Sequence, residues 1–158
     1  DVYKRQLLGV GESSDAHHMS TPHPQGLGAR MAMQRALASA GASAADVGYI
    51  NLHGTASRSN DSSEDAAVMA VFGAATPCSS TKGLTGHALG AAGVIEAVLT
   101  AFALEEGFLP AGANTAVLDP ALHADYLLAP RPAALRRAMS NSFGFGGANC
   151  ALLLELAD

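Results

Sequence analysis

Apolar and polar residues fall into blocks along the chain whose spacing predicts strands alternating with helices. Leu7-Leu8-Gly9-Val10-Gly11 is a continuous apolar run of the kind that ends a buried strand. Pro24 stands where a helix would begin, Leu27, Met31, Met33, Leu37 and Ala40 recur at helical positions, and Gly41 stops them, so a helix is predicted over about 25–40. Tyr49-Ile50-Asn51-Leu52 reads as a short strand. Asn60-Asp61 with Glu64 caps a second helix, whose Val68, Val71 and Phe72 precede Gly73. Cys78-Ser79-Ser80-Thr81 is a further strand, followed by a glycine-rich bend and a helix over about 88–105. Beyond Gly107, Pro110, Pro120, Pro130 and Pro132 break the chain into loops. Two last runs, about 138–142 and 148–155, flank Phe143-Gly144-Phe145-Gly146-Gly147 as a hairpin would. Strands alternating with helices, closed by a hairpin, imply an α/β domain with a mixed, mostly parallel sheet covered by helices. Residues 1–6 are charged and patternless and are set aside as a boundary segment, leaving 7–158 as one domain.

Composition narrows the picture. With 158 residues, 49% hydrophobic and 15% charged, the chain can build a core without disulfide or metal staples. Fourteen acids against nine Lys and Arg leave a net charge of -5, and no basic run occurs. That balance argues against nucleic acid or an anionic membrane as partner and favours a protein or small molecule. Cys78 and Cys150 lie far apart and no secretory leader pattern opens the sequence, so a reduced, cytoplasmic setting is expected. The longest uncharged stretch, 138–154, contains Ser140, Asn141, Ser142 and Asn149 and is no membrane span.

Ligands of parallel α/β sheets are met where strands lead into helices. His53 follows the Tyr49 strand, while Lys82 and His87 follow the Cys78 strand, so all three should emerge at one sheet edge. Any one histidine alone would more often be a satisfied structural residue. On the helix over 88–105, Leu89, Ala92, Glu96, Leu99 and Ala103 share one face and Val94, Val98 and Phe102 the other, so the helix reads as buried all round. Glu96 then either needs a cation, with Lys82 the nearest in sequence, or reaches solvent at the helix edge. Cys78 and Cys150 sit within or at the start of apolar strands and read as structural. The glycines spell neither a phosphate loop nor a dinucleotide fingerprint. Close backbone packing is expected at Gly90 and Gly93, and the turn 143–147 suits N–H groups aimed at a ligand oxygen.

Three segments in order, His53-Gly54-Thr55, Ser80-Thr81-Lys82 through Thr85-Gly86-His87 to Gly93, and Asn141-Ser142-Phe143-Gly144-Phe145-Gly146-Gly147-Ala148-Asn149, resemble the beta-ketoacyl-acyl carrier protein synthases. Ser13-Ser14-Asp15 through His18-Met19, and Asp61 with Glu64, extend the likeness over 7–158. The resemblance implies the C-terminal half of a thiolase-like fold, with the nucleophilic cysteine in a preceding half. It implies decarboxylative Claisen condensation of an acyl thioester with malonyl-acyl carrier protein, in fatty acid, aryl polyene or polyketide synthesis. His53 and His87 would bind the enolate oxygen, Lys82 with Glu96 would form the site's charge pair, and Phe145 would be the gate. Thr55 and Ser57, with Phe143 and His18, would meet the pantetheine arm and acyl chain. No cofactor is implied beyond the carrier's phosphopantetheine. Partners would be acyl carrier protein and a second synthase subunit in a homo- or heterodimer. The alternative reading is a chain-length-factor-like subunit that shares the fold without the chemistry.

Overall fold

The computed structural model describes residues 5–157. The strands are β1 (Arg5–Ser14), β2 (Tyr49–Asn51), β3 (Cys78–Ser79), β4 (Phe108–Leu109), β5 (Arg131–Pro132), β6 (Arg137–Phe143) and β7 (Ala148–Leu156). The helices are α1 (Leu27–Ser39), α2 (Arg58–Phe72), the single turn α3 (Lys82–Thr85) and α4 (Ala92–Glu106). Five strands form one sheet in the order β1-β7-β6-β2-β3, and β4 pairs with β5 in a separate ribbon.

The sheet is mixed, as expected, with a smaller parallel share than the alternation of strands and helices implies. β2 is parallel to both β3 and β6, but β6 with β7 and β7 with β1 are antiparallel, so the pairings divide evenly. The hairpin through 143–147 requires one antiparallel pair, and β1 then adds to the free edge of β7. Arg5 and Gln6, set aside in the sequence, belong to that strand and lie opposite Leu156 and Glu155. The rest of the boundary segment, 1–4, lies outside the described residues. β1 is an edge strand rather than a buried one, with Leu7 56% and Val10 41% exposed.

Side chains alternate across the central strands as the two-residue period of a strand requires. Ile50, Met139 and Leu153 face the α1 and α2 side, while Tyr49, Ala138 and Leu154 face the opposite side with Leu104 of α4. α1 buries Ala29, Ala32, Met33, Ala36 and Leu37, an i, i+3, i+4, i+7 stripe of mostly small residues. Small residues allow close approach: a Cβ at Gly11 of β1 would fall on the backbone carbonyl oxygen of Ala32. That contact is one of the places where only glycine fits.

Two helix starts also differ. α2 begins at Arg58 with Ser57 as N-cap, ahead of Asn60-Asp61, and α4 begins at Ala92 after a 3-10 turn over Leu89–Ala91. A Cβ at Gly93 would press on Ser142 Oγ, as at a packing glycine, whereas a Cβ at Gly90 would point into open space. α4 is not buried all round. Ala92, Glu96, Thr100 and Ala103 face the sheet, but Val94, Val98 and Phe102 are 67%, 49% and 45% exposed. No helix among the described residues is long and apolar enough to cross a membrane.

An exposed apolar stripe of this kind drives association in water. The chain expressed alone should therefore self-associate in sedimentation velocity. Val94→Glu combined with Val98→Lys should shift it towards monomer while leaving the far-ultraviolet circular dichroism unchanged. A wild-type chain that stays monomeric at every concentration would show that the stripe is not adhesive.

Candidate active site

β2 and β3 are adjacent parallel strands, so the loops at their carboxyl ends open side by side. His53 leaves the first loop, and Lys82 and His87 leave the second. The His53 and His87 rings meet edge to face, 5.4 Å between centroids at 83°. Lys82 Nζ lies 3.4 Å from His53 Nδ1, and the Phe143 ring, at the end of β6, is 5.8 Å from that of His53. Lys82 Nζ also donates to Glu96 Oε1 in an ion pair whose side chains are 7% and 1% exposed. Glu96 therefore turns inward to Lys82, and the solvent-reaching alternative is excluded. Burial pushes the Glu96 carboxyl up, and the hydrogen bond and charge of Lys82 oppose that push.

These contacts settle which ring nitrogens can donate. An ammonium has donors only, so His53 Nδ1 accepts from Lys82 and the ring's proton sits on Nε2. His87 Nδ1 accepts the Leu89 backbone N–H at 3.2 Å, which leaves its proton on Nε2 as well. His53 is held neutral: burial, then the Lys82 charge, then His87 bring it down to about 3.

A second carboxylate, read in the sequence as a helix cap, proves central. Glu64 of α2 is 2% exposed and accepts the backbone N–H of His53 through Oε1 and of Gly54 through Oε2, each at 2.8 Å. Asn141 Nδ2 of β6 donates to Oε1 at 3.3 Å. Burial nevertheless pushes Glu64 up to about 7. Glu64 thus fixes the backbone of the His53 loop from below while Lys82 fixes its ring. The signal was an acid on the second turn of α2 and an asparagine inside an apolar strand.

The remaining candidates gather around the 143–147 turn. Phe145 is 86% exposed, and its N–H has no partner among the described residues, while Gly144 N–H is taken by Ala148 O and Gly146 N–H by Met19 O, each at 2.7 Å. Asp15 ties the preceding loop to this turn, accepting from Asn149 Nδ2 at 2.9 Å and from the His23 N–H at 2.8 Å. A cavity of about 100 Å³ between them is lined by Ser20, Ser57, Ser59, Phe143 and Phe145 among others. Thr55 Oγ1 and Ser57 Oγ are 3.0 Å apart at its side. His18 does not line this cavity; its Nδ1 accepts the N–H groups of Ser20 and Thr21 at 3.2 Å and so holds the turn that does. A larger cavity, about 240 Å³, lies between α2 and the loop that carries Val117 and Leu118, and neither His53, Lys82 nor His87 lines it. The two thiols stand apart from the site chemistry: Cys78 is buried, Cys150 half-buried, and burial pushes both up and away from the reactive thiolate.

A mixed α/β sheet with two histidines, a lysine and a carboxylate at parallel strand ends defines the thiolase-like class to which condensing enzymes belong. The sequence profile of the beta-ketoacyl synthase, C-terminal domain, matches residues 6–116, and the chain belongs to that family. It is 41% identical over 155 residues to the mitochondrial 3-oxoacyl-[acyl-carrier-protein] synthase of Arabidopsis thaliana, covering 94% of this chain and 34% of that one. It is 36% identical to 3-oxoacyl-[acyl-carrier-protein] synthase 2 of Vibrio cholerae, covering 95% of this chain and 38% of that one. The chain thus spans about a third of the length of the curated relatives it matches. Among solved structures, a ketosynthase (ApeO) in complex with its chain length factor (ApeC) from Xenorhabdus doucetiae superposes with a TM-score of 0.93 at 50% identity, over 98% of this chain and 39% of that one. A type II polyketide acyl-carrier protein in complex with its ketosynthase, AntDE:AntF, matches with a TM-score of 0.93 at 29% identity, over 98% of this chain and 39% of that one.

Two measurements probe this geometry. Removing one partner of a buried ion pair strands the other, so Glu96→Ala should destabilise by about 3 to 5 kcal/mol. The double variant with Lys82→Ala should recover more than about 1 kcal/mol of the summed losses; strictly additive losses in denaturant titrations would mean the charges are not coupled. The second concerns pH. Unfolded His53, near its ordinary 6.5, takes up a proton that the folded ring, at about 3, refuses, so its contribution to stability falls as pH drops through that window. Glu64 acts oppositely: folded, it keeps a proton between 4.5 and 7 that the unfolded chain gives up, so its contribution falls as pH rises. Subtracting wild type from His53→Asn cancels Glu64. From pH 7 to 4.5 the variant should gain about 2 kcal/mol relative to wild type, and a pH-independent difference would show that His53 is not held neutral.

Proposed function

We propose that residues 7–158 act as the C-terminal part of a beta-ketoacyl-acyl carrier protein synthase that carries out decarboxylative Claisen condensation. The observation that supports this best is the matched pair of imidazoles, each with Nδ1 occupied as an acceptor and Nε2–H left to donate. When malonyl thioester loses carbon dioxide, the electrons of the broken C–C bond pass to the thioester as an enolate, and negative charge gathers on its oxygen. Two neutral donors placed beforehand stabilise that oxygen without having to reorganise. The enolate carbon then attacks the acyl carbonyl held on a cysteine, which the resemblance places in the preceding half. A C–C bond forms, the C–S bond breaks and the thiolate leaves. In that second step the free N–H of Phe145 would help to hold the carbonyl oxygen.

Lys82 and Glu96 serve as positioning residues: the ammonium sets the His53 tautomer and lowers its basicity. Thr55 and Ser57 would hydrogen-bond the pantetheine arm, with Phe143 shaping its path and His18 holding the turn beside it. The partners would be acyl carrier protein bearing malonyl and acyl groups, and a second subunit to complete the dimer, in the cytoplasm. The reaction would need no cofactor beyond the carrier's own phosphopantetheine, and neither nucleic acid nor membrane takes part. A chain-length-factor-like role is the second reading, favoured by the heterodimeric neighbour from Xenorhabdus doucetiae. Against it stands the buried Lys82, Glu96 and His53 cluster, which carries a desolvation cost that a subunit without chemistry has no reason to bear.

In the full-length protein, His53→Ala and His87→Ala should each abolish decarboxylation of malonyl-acyl carrier protein, since each removes a donor worth about 3 kcal/mol or more in the transition state. Carbon dioxide release at the wild-type rate in both variants would remove the histidines from the mechanism.

A further inference from the structure

We infer that Arg58 grips the phosphate of the phosphopantetheine arm on which the substrate arrives, an inference that rests on the synthase reading above. The other cations of the chain are mostly engaged. Arg5 pairs with Glu105, Lys82 with Glu96, Arg131 with Asp125, and Arg136 and Arg137 with Glu155, while Arg35 donates to the carbonyl of Glu12. Arg30 of α1 is also without a partner among the described residues, but it is half-buried and its Nε is closed off from solvent. Arg58 is exposed and makes no hydrogen bond or ion pair among the described residues. In a chain of net charge -5, Arg58 is the exposed guanidinium among the described residues that is left to offer an anion a fork of donors.

Its place is what gives it a ligand. Ser57 and Ser59, on either side of it in sequence, both line the small cavity that Phe143 and Phe145 close from the other side. The hydroxyl pair of Thr55 and Ser57 lies between Arg58 and His53 along the chain. The five peptide links from His53 to Arg58 span at most about 18 Å. A pantetheine arm, two amides joined by short alkyl links, has an extended length on the order of 15–18 Å. An arm whose thioester meets the His53 and His87 donors is thus long enough to carry its phosphate as far as Arg58, which stands beside the cavity between two residues that line it. A planar guanidinium matches a phosphate's two free oxygens, and each charge-assisted hydrogen bond is roughly twice as strong as a neutral one. Arg58 is on this account a binding residue that selects phosphorylated arms and touches no reacting atom.

The test uses the full-length synthase and two small thioesters that differ only in the phosphate, acyl-phosphopantetheine and acyl-pantetheine. Self-acylation is followed by intact mass, and the readout is the ratio of the two kcat/KM values. Wild type should prefer the phosphorylated thioester by about tenfold. Arg58→Ala should bring the ratio down to within about twofold of unity, and Arg58→Lys, a point charge without the fork, should fall between. A ratio unchanged in Arg58→Ala overturns the inference while leaving the synthase reading intact. So does a loss confined to carrier-borne substrate, which would mean that Arg58 meets acidic residues of the carrier. A wild-type protein acylated by neither thioester would overturn the synthase reading and this inference with it.

Discussion

The buried ion pair of Lys82 and Glu96 is the interaction on which the rest of the site depends. Two charges removed from water are favourable only when each is closely matched and held by further bonds. Here the match is enforced by backbone as well as by side chains: the Glu96 carbonyl accepts from Asn51 Nδ2 of β2 at 3.3 Å and from Thr100 Oγ1 at 2.7 Å. α4 is thereby pinned to the central strand at the residue whose carboxylate must meet the ammonium. Once Lys82 is fixed, so is its distance to His53, and with it the tautomer of that ring.

Glu64 and Glu96 show how two buried carboxylates, on helices that cover opposite faces of the sheet, can be kept for different tasks. Glu96 faces an ammonium and orients it. Glu64 faces amide donors, which are dipoles rather than charges, and burial outweighs them enough to raise it to about 7. A carboxylate held by amides fixes backbone without placing a counter-ion beside the imidazole. That separation matters, because an anion next to His53 would favour the imidazolium, whereas the Lys82 ammonium and the His87 ring both disfavour it.

Much of this was legible in the residues, and the gaps have physical causes. The α1 stripe and the 143–147 hairpin rest on local periodicity and turn chemistry, which short-range sequence carries well. The convergence of His53, Lys82 and His87 followed from the rule that parallel strands open their loops at one edge. Sheet polarity was harder, because β1 joins β7 antiparallel from the far end of the chain and no local pattern announces a pairing between segments so distant in sequence. Glu64 was misread because an acid near the start of a helix is usually a cap, and only the tertiary fold turns it inward. The outer face of α4 was read as buried because Val94, Val98 and Phe102 have the same pattern whether their cover is this chain or another segment. Arg5 and Gln6 were discarded because an edge strand needs no apolar run, only backbone to pair with β7.

The neutrality of His53 is what lets it share so small a space with a lysine. Three cations within a few ångströms would repel, and burial would sharpen the repulsion. The geometry avoids this by giving Lys82 a counter-charge in Glu96 and by holding His53 neutral through burial and the ammonium beside its Nδ1. His53, at about 3, is then a donor of constant character across the physiological range. In the proposed reaction the negative charge that appears on the enolate oxygen is transient, and a site already carrying imidazolium would bind the malonyl ground state, itself an anion, as strongly as the enolate. A neutral His53 beside a balanced ion pair avoids that uniform binding and reserves its hydrogen bond for the oxygen on which the charge develops.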